Sequence, residues 1–341
     1  MTKQLKAILR FSFFLGLGVC FVWWSVKDLT ENDTQHIKNA LREARFWLAI
    51  PGFIVLMLSH WIRALRWRLL IQPLGYNPSK ANTFYAVMIG YLANQAVPRL
   101  GEVLKCSTLT RYEKVPFDKL LGTVILERII DTICLLVIFV FTIAIQPDLY
   151  EKIMTAFFGG STAGSESNMI GIAAVAAGLI VIAALVWMVA KRKSVSDIVI
   201  LVKNIIARIW EGLTTIMYLK KRWAFVIYTV SIWLLYAICG YIGFIAFEEM
   251  QHHGFKEMMM VLCAGSVGMV ATPGGIGAYA FMLQKTMELY DANSGVALAY
   301  GWVMWVIQIF VVLVGGLFSL IMLAIKNKTR TFDDNQQGAV T

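Results

Sequence analysis

Long apolar runs, separated by short polar ones, set the pattern of this chain. A helix needs about 20 apolar residues to cross the hydrocarbon core of a bilayer. Six stretches reach that length, roughly 7–26, 47–69, 120–146, 169–190, 223–247 and 295–325. The first follows Lys3 and Lys6, closes with the bulky pair Trp23 and Trp24, and has no small-residue cleavage site after it, so it reads as an anchor rather than a removable signal. Two further apolar stretches, about 81–111 and 258–287, are broken midway by Pro98-Arg99-Leu100-Gly101-Glu102 and by Thr272-Pro273-Gly274-Gly275-Ile276-Gly277. Each half is too short to cross alone, so the pattern predicts two hairpins that re-enter and leave on one side. The expected fold is an all-α integral membrane protein with about six transmembrane helices plus two re-entrant broken helical hairpins in inverted arrangement. It forms a polytopic domain over 1–326, followed by a polar cytoplasmic tail at 327–341.

Two polar-apolar alternations of helical period lie between the spans. Val195, Ile198, Val202, Ile205, Ile209, Leu213 and Ile216 share one face, while Lys203, Asn204, Arg208 and Glu211 take the other, which predicts an interfacial helix over about 194–219. Ile37, Leu41, Ala44 and Trp47 recur in the same way, as expected of a helix resting on the outer surface before the second span.

Composition agrees with this pattern: 58% of the 341 residues are hydrophobic and 15% charged, with a mean hydropathy of +0.67, which excludes an ordinary soluble domain. The net charge of +10 does not point to nucleic acid, because the basic residues gather at the ends of apolar runs. With both hairpins re-entrant, 23 of the 31 Lys and Arg fall on one side, seven on the other, and Arg128 lies within a span. Cytoplasmic loops carry such an excess. The count predicts that both termini are cytoplasmic, with residues 147–168 and 248–257 outside and 191–222 inside. Five cysteines stand singly in apolar runs, with no metal-binding or disulfide spacing.

The candidate chemistry sits at the breaks and beside them. Backbone amides at membrane depth must be bonded, so Pro- and Gly-broken helices persist there only against protein or a wet cavity. Discontinuous helices that approach from opposite faces are a transporter pattern, and each second half-helix would turn a partially positive N-terminus toward an anion. Pro273 to Gly277 also fits a tight turn and nothing more. Glu127, Arg128 and Asp131 lie early in the third span, where each charge is costly and needs a partner. Arg128 and Asp131 are spaced to pair, and Arg99, Arg63 or Arg66 are the expected outside partners, whether the cluster holds the hairpin or binds a head group. Arg63, Arg66 and Arg68 with Trp61 and Trp67 fit an interfacial anchor with snorkelling stems, or a grip on lipid phosphate by Arg63 and Arg66. His252 and His253 are adjacent and would point apart on a helix, and His36 and His60 stand alone, so no metal or cofactor is expected.

Taken together, these segments resemble the flippase-like transmembrane region of the lysylphosphatidylglycerol synthase family and its stand-alone relatives. The match lies in Arg63-Ala64-Leu65-Arg66-Trp67, in Asn94 through Pro98-Arg99-Leu100-Gly101-Glu102 with Lys105, in Glu127-Arg128-Ile129-Ile130-Asp131, and in Thr272-Pro273-Gly274-Gly275-Ile276-Gly277, in that order, over about residues 5–326. The resemblance implies a bundle of the bacterial inner membrane with two re-entrant hairpins and, as in the best understood members, movement of a modified phospholipid between leaflets. Many relatives carry a glutamate a few residues after the glycine turn, where this chain has Ala280, which puts a carboxylate's role there in doubt. The large synthases add a soluble aminoacyl-transferring domain, and only about fifteen residues follow the last span here, so synthase activity is not expected.

The first functional expectation is a translocator of a phospholipid or polyprenyl-linked lipid, without catalysis. Its binding residues would be Arg63, Arg66, Asn94, Pro98, Arg99, Gly101, Glu102, Lys105, Glu127, Arg128, Asp131, Thr272, Pro273, Gly274, Gly275 and Gly277. An accessory or scaffold subunit partnering a membrane biosynthetic enzyme is the alternative. An intramembrane transferase using Glu102, Glu127 or Asp131 is the third reading; no loop is long enough for a nucleotide-sugar site.

Overall fold

The computed structural model describes the backbone of residues 16–97, 99–146 and 219–338, with side chains through Asn327. The expected span at 169–190, the interfacial helix up to Tyr218, the loop at 147–168 and Pro98 lie outside the described residues. What is described is helical, with no strand. Two compact units divide the chain, one of residues 1–125 and 219–341, the other Leu126–Tyr218. The second is described only through residue 146.

The first unit opens with α1 (Gly16–Val26) and α2 (Glu31–Glu43). A capping box starts α2: Thr30 accepts from the Asp33 amide, and the Asp33 carboxylate accepts from the Thr30 amide at 2.9 Å. After a 3-10 turn at Phe46–Leu48 come α3 (Ala49–Ile71), α4 (Lys80–Ala96), α5 (Leu100–Glu113) and α6 (Phe117–Ala144). Beyond the undescribed segment lie α7 (Arg222–Ala246), α8 (Phe255–Ala271), α9 (Ala278–Glu288) and α10 (Ser294–Gly338). Helix α10 runs on into the expected polar tail, as far as Gly338. Among the described residues, three helical segments, Phe46–Leu74, Arg222–Ala246 and Ser294–Asn327, are long and apolar enough to cross a membrane. Helix α6 is long enough at 28 residues, about 42 Å, but every 18-residue stretch of it includes Glu127, Arg128 and Asp131.

Two hairpins, α4–α5 and α8–α9, pack against α10 from opposite ends, which is the arrangement that positions the site. The base of the first is tied to the far end of α10, where Asn82 bonds both Glu113 and Asn327. The base of the second is tied to the start of α10: Gln284 donates to the Ser294 hydroxyl at 2.8 Å, and Ser294 donates to Glu288 at 2.7 Å. The buried core divides the same way. Leu48, Leu56, Tyr279, Leu283, Tyr300 and Val311 belong to one cluster, while Ala64, Trp67, Ile89, Leu109 and Leu323 belong to the other. Helices α3 and α10 contribute to both and form the common wall. Each hairpin arm is short: 17 and 14 residues in the first, 17 and 11 in the second, about 26, 21, 26 and 17 Å. None reaches the ~30 Å of a hydrocarbon core.

Candidate functional site

The tips of the two hairpins meet. A side chain at Gly274 would fall on Oε1 of Gln95, because the α4 tip lies directly against the turn between α8 and α9. The Gly274 carbonyl accepts from the Trp305 indole of α10 at 2.8 Å, which pins the turn to the common wall. Within the turn, the Gly275 amide bonds the Thr272 carbonyl at 3.0 Å and the Thr272 hydroxyl donates to the Ile276 carbonyl at 2.9 Å. Pro273 and Gly275 are buried. The backbone of Gly274 is left-handed (φ 62°), a conformation glycine adopts without steric cost.

The first break is built differently. Val97 is extended (φ −138°, ψ 121°), as a residue preceding a proline must be, and α4 ends at Ala96. Arg99 then takes the left-handed conformation (φ 68°), at a cost of roughly 1–2 kcal/mol for a side chain with a Cβ. Asn94 accepts from the Gly101 amide at 2.8 Å across the break, and the Leu100 amide bonds the Val97 carbonyl at 3.2 Å. The expectation that bare half-helix amides await an anion is narrowed by both ends. Asn94 caps the start of α5, and the start of α9 at Gly277 lies on the Gly18 carbonyl and Val22 of α1.

The side chains supply the charge. Arg99 is exposed at the tip, Glu102 is half-buried, and Lys105 is buried with its ammonium 3.9 Å from the centre of the Trp67 ring. Arg63 and Arg66 do not snorkel to an interface; both are buried between α3 and α7. Arg63 donates to the Tyr236 hydroxyl at 3.3 Å and Arg66 to Thr229 at 3.5 Å, with Phe225 beneath the Arg66 guanidinium at 5.8 Å. Arg68 instead bonds Asn77 and the Pro78 carbonyl in the loop after α3. Trp67 is wholly buried and donates to Thr123 at 2.9 Å, so it is core rather than belt. Glu127 is buried, Asp131 half-buried and Arg128 exposed, on the part of α6 that belongs to the second unit.

Two residues of this region are not singled out by sequence, and a third, His60, stands alone there. Gln95 and Trp305 touch the glycine turn, and a polar pair, Asn94-Gln95, at the end of an apolar run was the available signal. His60 shares a face with Arg63 and Arg66 at i, i+3 and i+6; its Nδ1 is buried without a hydrogen bond, and its ring lies 4.8 Å from that of Tyr91. Ala280 is buried with its backbone against Gly301 of α10: a Cβ at Gly301 would come within 2.8 Å of the Ala280 carbonyl oxygen. The two helices cross there almost backbone to backbone.

Comparison with known protein families matches residues 8–316 to the family described as the lysylphosphatidylglycerol synthase TM region. A curated protein of Methanocaldococcus jannaschii, described as a UPF0104 membrane protein, is 32% identical over 97 residues. That match spans 28% of this chain and 29% of the relative. No solved structure matches the chain. The chain belongs to the lysylphosphatidylglycerol synthase transmembrane-region family and is a membrane protein.

Proposed function

We propose that this member of the family moves an anionic lipid, a phospholipid or a polyprenyl-linked intermediate, between the leaflets of a bacterial inner membrane. The head group passes between the two hairpin tips while the tails stay in the bilayer. In this reading both hairpins are re-entrant, six helices span, and both termini are cytoplasmic, as the charge count supports. The observation that carries the reading is the meeting of Gln95 with Gly274 near the middle of α10, by hairpins rooted at its opposite ends. A pathway that opens at one base and then at the other needs its narrowest point where the tips touch.

Arg99, exposed beside that contact, is the first partner for the phosphate, because a guanidinium fork matches phosphate oxygens in pairs. Arg63 and Arg66, buried on α3, and Lys105, buried on α5 beside Trp67, are the further cationic residues of this reading. The reading needs no catalytic step. It differs from the sequence expectation in one respect: side chains, rather than bare helix ends, hold the anion.

The test is leaflet exchange of labelled phosphatidylglycerol and polyprenyl phosphate in proteoliposomes, against protein-free vesicles. Wild type should accelerate exchange of at least one, and Arg99→Gln should slow it about tenfold, the loss expected for one charged hydrogen-bonding partner. If wild type moves none of the lipids that copurify with it, the accessory-subunit reading replaces this one.

A further inference from the structure

We infer that the loop joining α7 to α8 is an acid-released latch: the neutral His253 ring packs it shut at the base of the second hairpin, and a proton on that ring opens it. The loop follows the 3-10 turn Glu248–Met250, and α8 starts at Phe255, so whatever holds His253 also holds the root of the hairpin's first arm. His253 is 5% exposed. Its amide donates to the carbonyl of the fully buried Met250 at 3.1 Å, and its ring lies 5.8 Å from that of Phe244, which also stacks on Tyr300 of α10 at 5.3 Å. The Nε2 atom is buried with no hydrogen bond among the described residues. The ring of His252, an exposed residue, sits 4.0 Å away.

These surroundings accept a neutral imidazole and oppose a charged one. A proton would leave a buried positive charge and an unbonded N–H against aromatic rings, beside a second histidine that charges over the same pH range. Glu257 of α8 is the carboxylate that pulls the other way, but its Oε2 already accepts from the Gly254 amide at 2.8 Å. Glu248, Glu249 and Lys256 are exposed, and Glu249 lies 3.8 Å from His36 of α2. That pair strengthens when His36 is protonated, so acid keeps the 3-10 turn on α2 while it frees the loop beyond. Burial, and after it the charge of His252, hold the His253 imidazole below its ordinary 6.5 against the pull of Glu257. The packed loop then binds fewer protons than the open one. Its packing is undisturbed above the ordinary value and weakens as pH falls from there toward the depressed one.

The latch requires the loop to lie outside the membrane-spanning segments, but not that the protein moves lipid, so it fails separately from the proposed function. The experiment is hydrogen exchange of the full chain in detergent, read by mass spectrometry at about pH 7.5 and about pH 5, with the intrinsic pH dependence of exchange removed. Peptides over 247–258 should lose about tenfold of their protection at the lower pH, while those over 222–240 of α7 keep theirs. His253→Phe puts an uncharged ring beside Phe244 and should abolish the difference. His252→Gln removes the neighbouring charge and should shrink it. Unchanged protection of the wild-type loop in acid, or the same loss in His253→Phe, would overturn the latch. An equal loss in His252→Gln would overturn the part assigned to that ring.

Discussion

The two hairpins solve one geometric problem with different chemistry. In each, the arms cross almost backbone to backbone. A Cβ at Gly101 would fall on the Gly90 carbonyl and on Asn94, and one at Gly268 would lie 2.8 Å from the Tyr279 Cα. The turns then diverge. The second is glycine-made and held by Trp305, and no charged residue lies in α8 beyond Glu257 or in α9 before Lys285. The first keeps Arg99 in a left-handed conformation and carries Glu102 and Lys105 on the following turns. The cost at Arg99 is avoidable, since glycine would take that conformation freely. On the proposed reading the side chain, rather than the turn, is what that position supplies. On that reading the first hairpin is the recognition element and the second its counter-surface.

The largest expected effect tests the shared part of this comparison. Gly101→Val and Gly268→Val should each cost roughly 3 kcal/mol or more, since backbone cannot retreat as a flexible side chain can. Thermal unfolding in detergent reads this; a stable Gly268→Val protein would show that only the first crossing is tight. Ala280→Glu should also destabilise, by a few kcal/mol, through burial of a carboxylate against Gly301. An unaffected melting temperature there would mean that the crossing of α9 and α10 yields.

Smaller changes separate the two turns. Trp305→Phe leaves the Gly274 carbonyl without its indole donor, a loss of about 1–2 kcal/mol. Asn94→Ala removes the cap on Gly101 at about 1 kcal/mol and should leave more of the α5 N-terminus open to an anion. If the account is right, Asn94→Ala alters phosphate-lipid binding while Trp305→Phe alters stability alone. The smallest effect lies at the root of the second hairpin. The Thr30 amide and hydroxyl hold the Asp33 carboxyl below its ordinary 3.8, and Asp33 also accepts from Asn293, just before α10. A depressed folded-state value stabilises above the unfolded value and is lost as pH falls through the folded one. Acid titration should therefore show a slight loss below about pH 4, absent in Asp33→Asn; lying at the surface and only half-buried, the group contributes little.

Much of this was legible in the sequence because proline and glycine inside apolar runs have few structural uses. The breaks at Pro98 and at Thr272–Gly277 fall between α4 and α5 and between α8 and α9, as read. What escaped depended on residues far apart in the chain. Arg63 and Arg66 looked interfacial beside Trp61 and Trp67, and only Thr229 and Tyr236, more than 160 positions away, reveal them as buried. Asn94 as a cap for Gly101 requires a left-handed arginine between them, which local propensity does not favour. The contact of Gln95 with Gly274 has no local signature.

That contact is where the account is most exposed to test. In a cysteine-free background, Gln95→Cys should exchange lipid nearly as wild type does. Attachment of a bulky thiol reagent, verified by mass, should stop exchange, and reduction should restore it. Undiminished exchange with the adduct in place would contradict passage of the head group between the tips.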